Sequence, residues 1–192
     1  MRPRFALPDL VAEILVAAAR EAALAIGVPM AVAVVDAEGG AQWFARQDGT
    51  LPVSTDLAMN KAYTAATVRM PTDELGCLAL PGAPLYGIGN GGRIVLFGGG
   101  FPLCLDGRVV GGIGVSGGSV AQDMAVAKPA LDLLARMAEW AERIPGLGQG
   151  DTLPPQALSQ VVVALRRALP ELENASAGEA AAVIGGVALA LS

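Results

Sequence analysis

The sequence predicts a mixed α/β fold of the α+β type, in which helices pack on antiparallel β-strands. Three observations support this prediction. Residues 9–26 and 119–144 carry apolar side chains at the spacing of a helix. Residues 30–47 change to short apolar runs on both sides of the turn sequence DAEGG, as in a β-hairpin. The dipeptide Asp106-Gly107 is a second hairpin signal, so helices and antiparallel hairpins share one chain.

The chain is predicted to begin with a helix followed by a hairpin. Asp9 can cap the start of the helix at 9–26, and Gly27 can end it. Residues 30–35 are almost all small or β-branched, which predicts a strand that is buried on both faces. Residues 41–47 are predicted to return as the second strand of the hairpin.

Two further helices and a long loop are predicted in the middle of the chain. Residues 54–69 have helical spacing, with Ser54 or Thr55 as the candidate cap. The sequence PTDEL then predicts a short turn of helix, because proline is favoured at the first position and acidic residues in the first turn. Residues 80–92 form a turn-rich loop, and loops of this length are often functional.

Three strands and a long helix are predicted to follow the loop. The strands are expected at 93–100, 101–107 and 108–118. In the helix at 119–144, Ser119 and Gln122 have the spacing of a capping box. Pro129 is expected to kink this helix or divide it.

The composition favours a compact domain and excludes several classes of function. Hydrophobic residues make up 53% of the 192 residues, charged residues make up 16%, and the formal net charge is −5. No basic cluster stands out, so we expect no nucleic-acid partner. No secretory pattern and no apolar segment of membrane length stand out, so we expect a cytoplasmic protein with no membrane partner. Cys77 and Cys104 are expected to be reduced core residues.

Histidine is absent from the whole sequence. Its absence excludes Ser-His-Asp and Cys-His catalysis and removes the commonest zinc ligand, so we expect no metal site. It also removes the usual axial ligand of haem. Any acid–base chemistry must therefore use other side chains, such as a lysine and a carboxylate.

The stretch GGIGVSGG contains G-x-G-x-x-G at Gly112, Gly114 and Gly117. A dinucleotide fingerprint also needs a surrounding βαβ unit and an acidic residue after the second strand, and this stretch follows antiparallel hairpins instead. We therefore interpret the glycines as thinning a strand, so that another backbone or a flat ligand can approach it closely. The start of the following helix could then receive a carboxylate.

Several phrases of the sequence occur together in one order: VPMAVAVVDAEGG, FARQDG, STDLAMNKAYTAATVRMPTDEL, GGGFPLCLDGRVVGGIGVSGG and AQD. Together they resemble the GlcG/HbpS family of haem-binding-type domains, which also form the C-terminal domain of PduO-type proteins. The resemblance covers roughly residues 9–143. The predicted organisation is a GlcG/HbpS-like domain at 1–148 and a helical C-terminal extension at 149–192, which packs on the domain or on a neighbouring subunit.

The resemblance implies an antiparallel sheet of about five strands with packed helices, profilin-like in general shape, and a homo-oligomer. It also implies a small-molecule ligand, with haem or a corrinoid as the candidate cofactor. Some haem-binding relatives use histidine as the iron ligand, and this chain departs from them because it has none. A small organic acid fits the glycine-lined strand and the scattered basic residues equally well.

The family phrases also indicate the candidate site residues. The candidate ligand-binding residues are Arg46, Ser54, Lys61, Thr64, Gly114, Ser116, Gly117 and Asp123. The candidate catalytic residues are Lys61 with Asp36 or Asp123, since a buried lysine beside a carboxylate can have a shifted pKa. The alternative for Lys61 is a structural ion pair with one of these carboxylates or a cap on backbone carbonyls. Asp48 is interpreted as a turn residue.

Three functions remain open at this point. The first is a non-catalytic accessory protein of a catabolic pathway that binds a tetrapyrrole or another small ligand near Lys61, the loop at 87–92 and the strand at 111–118. The second is an enzyme that uses Lys61 as an acid or base on a small substrate. The third is an oligomeric interaction module that makes its contacts through the tail at 150–192.

Overall fold

The computed structural model describes residues 7–143, apart from the side chains of residues 140–143. The predicted extension at 149–192, its packing and the interaction module built on it lie outside the described residues. Within the described part, no helix combines the length and the apolar character that crossing a membrane requires.

The described elements follow the order that the sequence predicts. They are helix α1 (Asp9–Ala25), strands β1 (Ala31–Asp36) and β2 (Ala41–Arg46), helices α2 (Val53–Val68) and α3 (Thr72–Leu78), a 3₁₀ turn (Ile88–Gly91), strands β3 (Gly100–Leu105) and β4 (Arg108–Ser116), and helix α4 (Val120–Arg143). The predicted helices and both predicted hairpins are confirmed, with ends that differ by a residue or two.

The strands form one antiparallel sheet in the order β2-β1-β4-β3. In the centre of the sheet, Ala33 of β1 lies between Phe44 of β2 and Gly114 of β4. The β3–β4 hairpin turns at Asp106 and Gly107, whose φ angles of 49° and 70° suit a tight turn. The α+β fold class is therefore confirmed, with four strands in the described sheet instead of about five.

The missing strand is the one predicted at 93–100, of which only Gly100 belongs to the sheet. Two threonines hold this segment. Thr64 Oγ1 accepts a 3.0 Å hydrogen bond from the Val95 amide, and Thr72 Oγ1 donates a 2.7 Å bond to the Phe97 carbonyl. Because side chains satisfy backbone groups that a neighbouring strand would otherwise pair, the segment remains irregular.

Helices cover both faces of the sheet. Alternate residues of β1 point to opposite faces, so Val32 and Val34 pack in a large core with α1 and α4. Ala31, Ala33 and Val35 point the other way and pack against small residues of α2. The predicted double-faced burial of β1 is confirmed, since all five residues 31–35 are buried.

The glycines of β4 make room for α2. A Cβ on Gly114 would collide with the Ala58 carbonyl oxygen, and a Cβ on Gly112 would collide with the Ala62 carbonyl oxygen. Of the two interpretations of the glycine-rich strand, close approach of another backbone is therefore the one that the structure shows. Ligand contact by Gly114 remains a prediction that would require α2 to move.

Several local predictions can be compared with the structure. The capping box at the start of α4 forms, with a 2.9 Å bond from the Ser119 amide to Gln122 Oε1 and a 3.3 Å bond in return. Helix α4 continues through Pro129 without being divided. The predicted side-chain caps on α1 and α2 are wrong. Asp9 is the first residue of α1 itself, α2 begins at Val53, and neither helix has a side-chain cap. Cys77 and Cys104 are free and exposed, so the prediction that they are core residues is wrong.

Candidate functional site

A buried ion pair joins Lys61 of α2 to Asp123 in the first turn of α4. Lys61 Nζ donates a 2.6 Å hydrogen bond to Asp123 Oδ2 and a 2.9 Å bond to the Val115 carbonyl. The Lys61 side chain has no accessible surface, and that of Asp123 is 4% exposed. The Phe97 ring lies over the ammonium group, with its centroid 4.8 Å from Nζ. We call this arrangement the Lys61–Asp123 pair.

Local sequence explains why the two side chains meet. Lys61 follows Ala58 by almost one helical turn, so it projects towards the sheet beside the thinned strand β4. Gly99 leaves space for the ammonium group, because a Cβ there would lie 2.8 Å from Lys61 Nζ, and its φ of 111° also favours glycine. The other Asp123 oxygen accepts a 3.0 Å bond from the Gly118 amide. The pair therefore joins α2, the end of β4 and the start of α4.

Burial sets the electrostatics of this pair. Loss of solvation lowers the pKa of Lys61 below its usual value, and the hydrogen bond and charge of Asp123 oppose that shift. The structural alternative predicted for Lys61, an ion pair together with a carbonyl cap, is thus present. An acid–base role would need a substrate to reach an ammonium group that no solvent touches.

The other predicted residues do not gather around Lys61. Asp36 Oδ1 accepts bonds from the Glu38 and Gly40 amides at 2.9 and 2.8 Å, so this carboxylate holds the β1–β2 turn. Thr64 bonds to the 93–99 segment. Ser54 and Ser116 are buried. Arg46 is exposed at the end of β2 and belongs to a different part of the surface.

Arg46 lines an open groove between the end of α1 and the end of β2. The groove encloses about 470 Å³, which is within the range of small-molecule sites. Its lining residues are Arg20, Ala23, Leu24, Gly27, Val28, Pro29, Arg46, Gln47 and Asp48. We call it the Arg20–Arg46 groove. The wall exposes apolar and polar atoms in about equal measure, and its charged residues are two arginines and one aspartate.

Gln47 holds the two sides of the groove together. Its Oε1 accepts a 2.8 Å bond from the Met30 amide, and its Nε2 donates a 3.2 Å bond to the Arg20 carbonyl. The Gln47 amide also bonds to the Met30 carbonyl at 3.1 Å, and its own carbonyl accepts the Thr50 hydroxyl at 2.7 Å. Gln47 therefore fixes the end of β2 against α1, and the groove is preorganised.

Arg46 was predicted from the sequence as a binding residue, whereas Arg20, Gln47 and the groove itself were not. Gln47 and Asp48 stand in the phrase FARQDG, which was one of the family phrases, so a signal for this edge existed. No sequence signal linked Arg20 to the groove. Arg20 lies in a helix 26 positions before Arg46, and only the folded chain brings the two residues together.

The fold and the groove define this chain as an α+β domain with an open groove on its surface. A family model described as "Haem degrading protein HbpS-like" matches residues 7–132. The match spans nearly all of the described residues, so this chain belongs to the HbpS-like family, and the resemblance inferred from the sequence phrases is confirmed.

Curated relatives agree with this membership. The chain is 45% identical over 117 residues to the "Uncharacterized 15.0 kDa protein in dhaT-dhaS intergenic region" of Citrobacter freundii, which covers 60% of this chain and 82% of that protein. It is 45% identical over 116 residues to the corrinoid adenosyltransferase PduO of Salmonella typhimurium, which covers 59% of this chain. The match spans only 34% of that PduO, so the activity in its name cannot be assigned to this chain from the match.

Solved structures of the same family superpose on the described fold. A structure named "Crystal Structure of PduOC:Heme Complex" aligns with a TM-score of 0.64 and 43% identity, over 66% of this chain and 94% of that one. A structure named "Crystal Structure of HbpS" aligns with a TM-score of 0.63 and 34% identity, over 67% and 90%.

The groove does not have the donors that haem iron needs. Haem iron is held in proteins by histidine, cysteine, methionine or tyrosine. The chain has no histidine, and none of the other three lines the Arg20–Arg46 groove. Among the described residues, no group of three histidine, cysteine, aspartate or glutamate side chains could hold a metal ion. The groove instead offers arginines for carboxylates and apolar side chains such as Leu24 and Val28 for a flat body.

Proposed function

We propose that this protein is a ligand-binding accessory protein of a catabolic pathway, and that its ligand, a tetrapyrrole or another small molecule, occupies the Arg20–Arg46 groove. The observation that carries the proposal is the groove itself, which is open and preorganised and combines apolar side chains with two arginines. Membership of a family with a solved haem complex supports a tetrapyrrole as one candidate.

Catalysis by Lys61 and Asp123 has less support. General acid–base chemistry requires the group to come within hydrogen-bond distance of the substrate. Lys61 already makes its hydrogen bonds to Asp123 and Val115, inside a region without solvent access. Asp36, the other candidate partner, is engaged in its own turn. The Lys61–Asp123 pair therefore suits a structural role better than a catalytic one.

A binding screen tests the proposal. Purified full-length protein is titrated with haemin, cobalamin and a series of aromatic and aliphatic carboxylates, and its melting temperature is recorded. A true ligand at one hundred times its Kd adds about 2.7 kcal/mol of stability, which corresponds to a rise of about 5–10 °C for a chain of this size. Equilibrium dialysis confirms each hit. If no compound shifts the melting temperature or is retained, the proposed function is rejected.

A homo-oligomer and a cytoplasmic location belong to the same proposal. Large apolar side chains are exposed near β2 and the start of α2, namely Phe44, Leu51 and Val53. Contact with a second copy would remove such surface from water. Light scattering coupled to size exclusion measures the assembly, and a monomer at micromolar concentration would contradict this part of the proposal.

A further inference from the structure

We propose that the Arg20–Arg46 groove recognises its ligand by a carboxylate held by the two arginines, and that a metal in the ligand contributes nothing to binding. The inference rests on the proposed function and narrows it to one chemical class, an apolar molecule that carries a carboxylate. Both porphyrin carboxylates and small organic acids belong to this class.

The charge of the groove is the first support. Arg20 and Arg46 are exposed, and neither makes an ion pair with another residue of the described part of the chain. Guanidinium groups without a protein partner are available for a ligand, and they bind planar carboxylates in a two-bond geometry. Asp48 is the only acidic residue on the described lining, so the groove carries a net positive charge of one.

The end of α1 is the second support. Free carbonyls at the C-terminus of a helix would repel an anion. Here three of the last four carbonyls are already bonded, because the Ile26, Gly27 and Val28 amides donate to the carbonyls of Ala22, Leu24 and Ala23 at 3.0–3.3 Å. The helix end therefore presents little unsatisfied negative charge to a carboxylate in the groove.

The third support is the absence of an iron ligand in the groove, since no histidine, cysteine, methionine or tyrosine lines it. A porphyrin that binds here by its carboxylates gains nothing from a central metal. Its affinity should depend on the free acid groups and on the two arginines. A ligand that needed iron coordination would have to find its donor elsewhere.

The test compares four compounds in the same dilute detergent: haemin, metal-free protoporphyrin IX, protoporphyrin dimethyl ester and 2-naphthoate. Dissociation constants are measured by dialysis, with porphyrin fluorescence as a second readout. We expect haemin and protoporphyrin to bind within about threefold of each other, and the ester to bind at least about tenfold more weakly, because esterification removes the charge-assisted hydrogen bonds. Binding of 2-naphthoate that Arg46→Gln weakens would show that small aromatic acids use the same groove.

Matched variants assign the effect to the groove. Arg20→Gln and Arg46→Gln should each weaken protoporphyrin binding about tenfold, and Asp48→Asn should strengthen it, because a repelling charge is removed. Arg69→Gln is the control, since Arg69 is exposed at the end of α2 and lies outside the groove lining. Arg46→Lys keeps the charge without the planar fork and should be intermediate. Circular dichroism and the melting temperature check that each variant is folded.

The outcomes separate the inference from the proposed function. If haemin binds at least about tenfold more tightly than protoporphyrin, or the ester binds as well as the acid, carboxylate-led recognition is overturned while ligand binding stands. Equal effects of Arg20→Gln, Arg46→Gln and Arg69→Gln would overturn the assignment to this groove. If none of the four compounds binds, and the wider screen is also negative, the proposed function fails as well.

Discussion

Replacing Asp123 by asparagine tests whether the Lys61–Asp123 pair holds the fold together. The substitution keeps an oxygen that can accept the Gly118 amide, but it removes the charge opposite the Lys61 ammonium group. Because Lys61 has no accessible surface, water cannot replace the lost partner. Breaking a buried pair by removing one member costs about 3–5 kcal/mol. We therefore expect Asp123→Asn to lower the free energy of unfolding by that amount.

A double-mutant cycle isolates the pair from the rest of the contacts. In a Lys61→Met background no buried ammonium group remains, so Asp123→Asn should cost only about 1 kcal/mol. The coupling energy should then be about 2–4 kcal/mol. Urea denaturation of the four proteins at pH 7 gives the values, at one protein concentration so that any assembly is constant. A coupling energy near zero would refute the reasoning, because it would mean that the two side chains do not depend on each other.

Three further predictions follow from the same contacts. The pKa of Lys61 is lowered in the folded protein, so between that pKa and the usual lysine value the unfolded chain binds more protons than the folded one. The free energy of unfolding should therefore rise with pH in this window. Urea titrations at several pH values should show a smaller rise for Lys61→Met than for the wild type. Lys128 is the only other lysine in the sequence, and its side chain is 70% exposed. Acetic anhydride should therefore modify Lys128 and leave the buried Lys61 unmodified in the folded protein. Equal labelling of the two lysines, measured by peptide mass spectrometry, would contradict the burial of Lys61. Gly114→Ala should destabilise the protein by about 1–3 kcal/mol, because its Cβ meets the Ala58 carbonyl, whereas Gly91→Ala, in open space, should change the unfolding free energy by less than about 0.5 kcal/mol.

The regular elements could be predicted from the sequence because their signals are local. Helical spacing, the turn DAEGG and the dipeptide Asp106-Gly107 each act within a few residues. The segment at 93–99 has the composition of a strand, but its partners are the hydroxyl groups of Thr64 and Thr72 on two preceding helices. No pattern inside the segment predicts those bonds, and these long-range contacts override the local preference for a strand.

The candidate site divides in the same way. The pairing of Lys61 with a carboxylate was predictable in kind, because a lysine on the apolar face of a helix must find a partner when it is buried. The choice of Asp123 over Asp36 was not, since it depends on α4 starting where β4 ends. The Arg20–Arg46 groove depends on α1 packing beside β2, and of its two arginines only Arg46 lay in one of the family phrases.

A continuous series of contacts links the buried pair to the groove. Asp123 holds the Gly118 amide. The adjacent Gly117 packs so closely on the segment before β1 that a Cβ would lie 2.5 Å from the Pro29 carbonyl oxygen, and Pro29 lines the groove. Gln47, in the next layer of contacts, holds the Met30 backbone. Gly117 and Asp123 therefore help to fix the position of Pro29 in the groove wall. Disrupting the Lys61–Asp123 pair should shift Pro29 and so weaken ligand binding in the groove, although neither Gly117 nor Asp123 touches the ligand.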